Sequence, residues 1–270
     1  MGAVLEPSDA GKDRFDNSHV GVSCVSREGG LYWMWYFGGD QAITKSPSLK
    51  GVVSAVKGSK MRIGGAVSRD GVNWVRLEGP SRGALFDAIA GQTSPICGWP
   101  RVLKDDDGTY KMYYKGDGIC LAVSPDGLRW ENKGPLGLKP GQPGSFDDMM
   151  VGNCQVIKVN GQYLLFYEAM DHEIYFCIGL AVSEDGIHWK KDDRGEQPGG
   201  PVFRHSPKGS GRFDAQAVGT PCVVPLPDGS FHLYYVGCPE MGHDELSAMH
   251  LIGMAVSEGQ DFRKWRRPGE

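Results

Sequence analysis

No apolar run in the 270 residues is longer than a strand, so nothing in the sequence has the length of a membrane-spanning helix. The opening residues, MGAVLEPSDAGKDRFD, lack both the basic start and the apolar core of a signal peptide. An excess of one charge is missing too: 29 Lys and Arg against 33 Asp and Glu leave a formal net charge of -4, without long like-charge runs. That excludes the basic face a nucleic acid needs and the polybasic patch an acidic membrane attracts. A soluble chain with neither of those partners is expected. No helical HExxH and no paired CxxC occurs, so no metal and no cofactor are expected. The seven cysteines are odd in number, and Cys24, Cys154 and Cys222 fall in matching strands of different repeats. This pattern reads as small buried residues rather than a disulfide framework, and points to a reducing, intracellular compartment.

What is abundant is glycine and proline, 40 and 17 residues, which with 10% aromatics suits short strands joined by tight turns. One stretch recurs. IGLAVSEDGIHW ends at Trp189, IGGAVSRDGVNW at Trp74, ICLAVSPDGLRW at Trp130, and a degraded copy, IGMAVSEGQDFRKW, at Trp265. An alternating apolar run, a Ser-x-Asp-Gly corner and a Trp predict a hairpin with a tight Asp-Gly turn. Asp70, Asp126 and Asp185 at these corners read as turn devices, with the hairpin needing positive φ there. Upstream of each copy stands a Phe-Asp pair, Phe15-Asp16, Phe86-Asp87, Phe146-Asp147 and Phe213-Asp214, followed by a first strand and an aromatic-rich second one.

Each repeat thus supplies four antiparallel strands, and the repeats run over about 15–80, 86–135, 146–195 and 213–270. Blades of this kind make an all-β propeller, read here as one domain over 1–270. Gly/Pro-rich connections stand at one phase, so the sequence starts and stops on a repeat boundary. Departures from the repeat are the places to look for function. They are the insertion ALFDAIAGQTSPICG and the long loops at 40–60 and 238–249, with AMDHEIYF in the same place in the third repeat.

The Phe-Asp pair, the Tyr-Tyr or Phe-Tyr strand and AVSEDGIHW together resemble the propeller glycosidases of the arabinanase, levansucrase and invertase superfamily, similar to glycosyl hydrolase family 43, over essentially the whole chain. The resemblance implies a usual count of five blades, against four visible repeats, so that either four close the ring or a fifth lies outside this sequence. It also implies an axial pocket for a carbohydrate-type, hydroxyl-rich small molecule, cut by carboxylates on the inner strands. The positions that correspond to those carboxylates are Val22, Trp99, Asn153 and Thr220, and none is acidic.

Two rival readings follow: a binding or scaffold propeller that has lost its carboxylates, and an enzyme with displaced acid-base groups. Asp148 occurs only in the third repeat, and Glu168 and His172 follow the second strand of that repeat, so these three are the candidate catalytic residues. An apolar wall at Trp99 or Tyr167 and a charged partner at Arg101 or His172 are expected to set two carboxylates apart. Candidate ligand-binding residues are His19, Trp99, Arg101, Asn153, Gln155, Asp171 and Gln216, which offer a flat ring face and directional hydrogen bonds. Asp16, Asp87, Asp147 and Asp214, kept in every repeat, read as structural. A second polar cluster is His243, Asp244, Glu245 and His250.

Overall fold

The computed structural model describes residues 2–47, 53–87, 92–192, 194, 199–240 and 250–269. The chain divides into two compact units, Met1–Pro135 and Leu136–Glu270, and each holds two repeats. In the first unit, β1 (His19–Glu28) and β2 (Leu31–Gly39) open a blade. β3 (Ile43–Pro47) and β4 (Val53–Lys57) pair only with each other in the long loop, and β5 (Met61–Ser68) and β6 (Trp74–Arg76) complete the blade in the order β1-β2-β5-β6. The second blade follows chain order through β7 (Gly98–Lys104), β8 (Tyr110–Gly116), β9 (Gly118–Ser124) and β10 (Glu131–Pro135).

The second unit repeats the plan with β11 (Met150–Val159), β12 (Gln162–Met170), β13 (Phe176–Ser183) and the short β14 (Lys190–Lys191). Its other blade is β15 (Ala217–Pro225), β16 (Phe231–Cys238), β17 (Leu251–Glu258) and β18 (Asp261–Arg266), joined to the first by one parallel pair, Phe176 with Ala217. The chain is therefore all-β in four-stranded antiparallel blades, as the composition predicts. Among the described residues no helix is long and apolar enough to cross a membrane.

The middle strands β5, β8, β9, β12 and β13 are buried on both faces over four or five consecutive residues, whereas β16 and β17 of the last blade alternate buried and partly exposed residues. Leu164, Phe166, Ile178 and Leu180 of one blade pack with Val218, Val223, Leu233 and Tyr235 of the next. Each such side chain contributes about 1.5–3 kcal/mol by leaving water.

The recurring corner is longer than the tight turn expected. Ser68 pairs with Trp74, so residues 69–73 lie outside the ladder. The reason is a cap: Asp70 Oδ1 accepts the Ser68 hydroxyl at 2.9 Å and the N–H groups of Val72 and Asn73 at 2.8 Å each. These bonds, Asn73 first, hold the Asp70 carboxyl far below the usual carboxylate range. Left-handed φ falls not on the aspartates but on Gly71, Gly127 and Gly186, at 75°, 74° and 71°.

The Phe-Asp aspartates are fastened inside the blades. Asp16 accepts the Ser8 hydroxyl (2.7 Å), the Tyr36 hydroxyl (2.9 Å) and Arg76 Nε (2.9 Å). Asp214 accepts Ser206, Tyr235 and Arg267 in the same roles at 2.5, 2.8 and 2.8 Å. Asp147 accepts Ser145 and Tyr167 and pairs with Lys191. The tyrosine reaches its aspartate because the residue opposite is glycine. Gly64, Gly179 and Gly253 face Tyr36, Tyr167 and Tyr235, and a Cβ there would stand 2.3–2.5 Å from the ring.

The second blade departs from this plan throughout. Cys120 stands opposite Tyr114, whose hydroxyl turns to Asn132 at 3.1 Å, and Asn132 replaces the base of the other blades. Asp87 is left to Arg62 and Ser81, each at 2.7 Å.

Candidate functional site

The first strand of every blade carries a bulge just past its glycine. The ladder slips between Val22 and Cys24, Gly98 and Arg101, Val151 and Cys154, and Gly219 and Cys222. A bulge re-aims side chains, and Trp99, Asn153 and Thr220 fall within these slips, while Val22 is the last paired residue before its own. Trp99 and Thr220 take left-handed φ of 48° and 47°, uncommon for bulky or β-branched residues. Val22 is 50% exposed, and Asn153 is half-buried.

Beneath each bulge lies the residue that follows the core tyrosine of a second strand. Four different residues fill this place: Phe37, Lys115, Glu168 and Val236. In the first unit Phe37 packs at a tilt of 34° against Trp99 of the next blade, ring centroids 4.7 Å apart, with the His19 ring edge-on to Phe37 at 6.3 Å. Burial lowers the pKa of His19, so its imidazole is neutral at pH 7.

In the second unit the same joint holds a carboxylate. Glu168 Oε2 accepts the Thr220 N–H at 2.9 Å, with the Thr220 hydroxyl at 3.4 Å. Gly219 makes room, since a Cβ there would stand 2.4 Å from Oε2. Burial, then the Glu168 charge, pushes the neighbouring Cys238 thiol up. Gly219→Ala meets only the movable end of a side chain, so the carboxylate has to swing off the Thr220 amide while the strand stays in place. The expected result is a Thr220 amide that exchanges with solvent about tenfold faster, the size of one lost hydrogen bond, with the melting temperature lowered only slightly.

Arg101 and Gln155 serve the backbone of a neighbouring blade. Arg101 donates to the Ser23 carbonyl. Gln155 donates to the Val223 carbonyl at 3.1 Å and accepts the Val223 N–H. Cys24 occupies the matching place in the first unit, with Sγ 3.4 Å from the Val102 nitrogen.

Asp148 and His172 come together. Asp148 Oδ2 accepts the Gly144 N–H at 2.7 Å and lies 3.0 Å from His172 Nδ1. The Gly144 bond first, and then His172, hold the Asp148 carboxyl below the usual range. The Asp148 side chain is 7% exposed and its Oδ1 is buried with no hydrogen-bond partner among the described residues, whereas His172 is 60% exposed. The pair lines a shallow depression of about 390 Å³, walled also by Gly141, Pro143, Gly144 and Met149. Glu168 is not among its walls, so the depression and the Thr220 joint are separate features of the unit.

Asp171 and Gln216 meet around the loop that carries His172. Asp171 Oδ1 accepts the N–H groups of Glu173 and Tyr175 at 3.0 Å each, and Gln216 Nε2 donates to the Ile174 carbonyl at 2.5 Å. Of the supports expected for a carboxylate pair, His172 meets Asp148, while the Tyr167 hydroxyl goes to Asp147 and Arg101 to Ser23. His243, Asp244 and Glu245 lie outside the described residues, and His250 is exposed. Sequence reasoning missed Thr220 and Gly219 as the seat of Glu168, although a carboxylate breaking the Phe37, Lys115 and Val236 row was a readable signal.

No family model matches the chain. Over 136 residues, 47% of the chain, it is 32% identical to a 1,2-β-oligomannan phosphorylase of Thermoanaerobacter sp. (strain X514), and the match spans only 40% of that protein. A glycosyl hydrolase from Bacteroides ovatus superposes with a TM-score of 0.63 at 20% identity, covering 99% of this chain and 79% of that one. A structure described with the GH130 mannoside phosphorylases, a family containing hydrolases of β-1,2 mannosidic linkages, superposes at 0.60 and 18% identity, covering 98% and 81%. With its repeated four-stranded blades, the chain has the fold of the propeller glycosidase superfamily.

Proposed function

We propose that this chain is a carbohydrate-active propeller, working as one domain over 1–270, that binds or processes a hydroxyl-rich ligand beside the first-strand bulges. The observation that carries the reading is Glu168, a carboxylate placed where the other blades have Phe37, Lys115 and Val236, and seated on the Thr220 amide. Repeat proteins put chemistry where the repeat breaks. A carboxylate seated on a backbone amide can take up or give a proton at a glycosidic oxygen, and Asp148 with His172 forms a second acid-base pair in the same unit. Within the first unit, Phe37 and Trp99 offer aromatic surface to a sugar, with His19, a neutral donor or acceptor, beside them.

The names of the relatives make β-1,2-linked mannosides the first substrates to try. β-1,2-Mannobiose, with and without inorganic phosphate, is incubated with the protein while released mannose and mannose phosphate are measured, alongside thermal shifts against a panel of sugars and sugar acids. Turnover or a stabilisation of several degrees is expected. No product and no stabilisation by any sugar at millimolar concentration would defeat the proposal.

The non-acidic row Val22, Trp99, Asn153 and Thr220 favours a second reading, a propeller that binds sugar without cutting it. Stabilisation without product would select it. A reducing compartment belongs to the same proposal, on the seven free thiols.

A further inference from the structure

Ile174 has φ 65°, a left-handed backbone that a β-branched side chain resists, because Cβ crowds the following carbonyl. Such a residue persists only where its surroundings over-determine it. Here they do. The Ile174 N–H donates to the Asp171 carbonyl at 3.0 Å, the Asp171 N–H to the Tyr175 carbonyl at 3.1 Å, and Asp171 Oδ1 takes the next two free amides of the loop. Gln216 closes the set by donating to the Ile174 carbonyl. Gln216 is itself fixed by its backbone, which donates to the Cys238 carbonyl at 3.0 Å and accepts the Phe176 N–H at 3.2 Å. Tyr175 is anchored through its hydroxyl to Glu240 at 3.0 Å.

The only protein atom the imidazole bonds among the described residues is Asp148 Oδ2. An ionised carboxylate has no proton to give, so Nδ1 must be the donor and the neutral ring carries its lone pair on Nε2. Besides Asp148, the charged group beside the ring is Glu173, which is paired with Lys208.

We infer that Gln216 and Asp171 are positioning residues for His172: by keeping Ile174 left-handed they hold the imidazole on Asp148, with Nδ1 protonated and Nε2 as the acceptor nitrogen. This rests on reading His172 as an acid-base group, but the arrangement itself is tested without any substrate.

The experiment records ¹⁵N spectra of the histidine side chains and amide exchange of the loop in the full chain, at about pH 8, where imidazoles are neutral. In the wild type His172 carries its proton on Nδ1. Gln216→Glu is isosteric but sets a charged carboxylate against the Ile174 carbonyl in place of the donor, so the Tyr175 amide exchanges at least about tenfold faster, as for one lost hydrogen bond, and His172 reverts to the Nε2-protonated form that free imidazoles favour. Adding Ile174→Gly, which takes a left-handed φ without strain, restores the Nδ1 form. Asp148→Ala shifts the tautomer and leaves Tyr175 exchange unchanged, which separates loss of the partner from loss of the loop. A wild-type proton on Nε2, a Gln216→Glu variant with unaltered tautomer and exchange, or a double variant that restores nothing overturns the inference. If these shifts appear while no sugar is bound or turned over, the positioning role stands and the carbohydrate reading falls.

Discussion

Glu168→Gln is expected to lower whatever sugar turnover the protein supports by at least about a hundredfold, the size of a lost acid-base group, while the melting temperature stays within a few degrees. The amide oxygen of glutamine still accepts the Thr220 N–H, so the joint between blades keeps its bond, and the volume beside Gly219 is unchanged. What glutamine cannot do is exchange a proton with a glycosidic oxygen. Stopped and initial-rate assays on whichever mannoside or other sugar the screen finds decide the matter. A glutamine variant with full turnover removes Glu168 from the chemistry and moves the weight to the binding reading. A variant that unfolds shows instead that the charge is structural.

The largest effect on stability is expected at Asp214. The residue is fully buried, and its oxygens serve Ser206, Tyr235 and Arg267 together. Asp214→Ala strands the guanidinium and two hydroxyls in a dry interior, which costs about 3–5 kcal/mol as for a broken buried ion pair. Thermal melts are expected to show a drop on the order of 10 °C for a chain of this size. Asp87→Ala is the control. That residue lies in the blade where Tyr114 has turned to Asn132, it is partly exposed, and its loss is expected to cost much less.

The same carboxylates set the acid limb of stability. Burial pushes the Asp214 carboxyl up, but hydrogen bonds from Ser206, Arg267 and Tyr235 outweigh it and leave it below its usual value. Asp192 is held at about 2, with burial overcome by Arg194 and Arg263. A carboxyl depressed in the folded state stabilises fully above its unfolded value near about 4, and that stability is lost as the pH falls through the folded value. Unfolding midpoints measured from pH 7 downward are therefore expected to hold to about pH 4 and then fall toward pH 2. Asp192→Asn should flatten the lower part of that fall.

How far the sequence could be read depends on how local each signal is. The Ser-x-Asp-Gly-x-x-Trp corner closes on itself within a few residues, so its hydrogen bonds and its repeat are written in one stretch. The aspartate behind each Phe needed a tyrosine, a glycine across the ladder and a base two residues past the Trp. All of these stand in the sequence, and the second blade, which keeps the tyrosine as Tyr114 but has Cys120 for the glycine and Asn132 for the base, loses the bond to its aspartate, which marks glycine and base as one device.

The candidate site was less legible because its bonds are long-range and reach main-chain groups. Glu168 is fixed by an amide 52 residues away, on a bulge whose left-handed φ falls on Thr220, a residue no turn rule predicts there. Gln155, Arg101, Asp171 and Gln216 have the polarity of ligand-binding groups, but a backbone left unpaired at a bulge or a strained loop claims such side chains first. Asp148 beside His172 was visible because the carboxylate and the imidazole both depart from the repeat.

The two joints are also built to one pattern within their units. Phe37 on Trp99 and Glu168 on Thr220 are one contact made twice, and Cys24 on Val102 and Gln155 on Val223 are another. Both times the left-handed bulge belongs to the later blade of the pair, while Val22 and Asn153 at the earlier blades lack it. Each unit is thus built from two unlike blades, an earlier one that sends a side chain forward and a later one whose left-handed bulge receives it, and the same seat takes an aromatic ring in one unit and a carboxylate in the other.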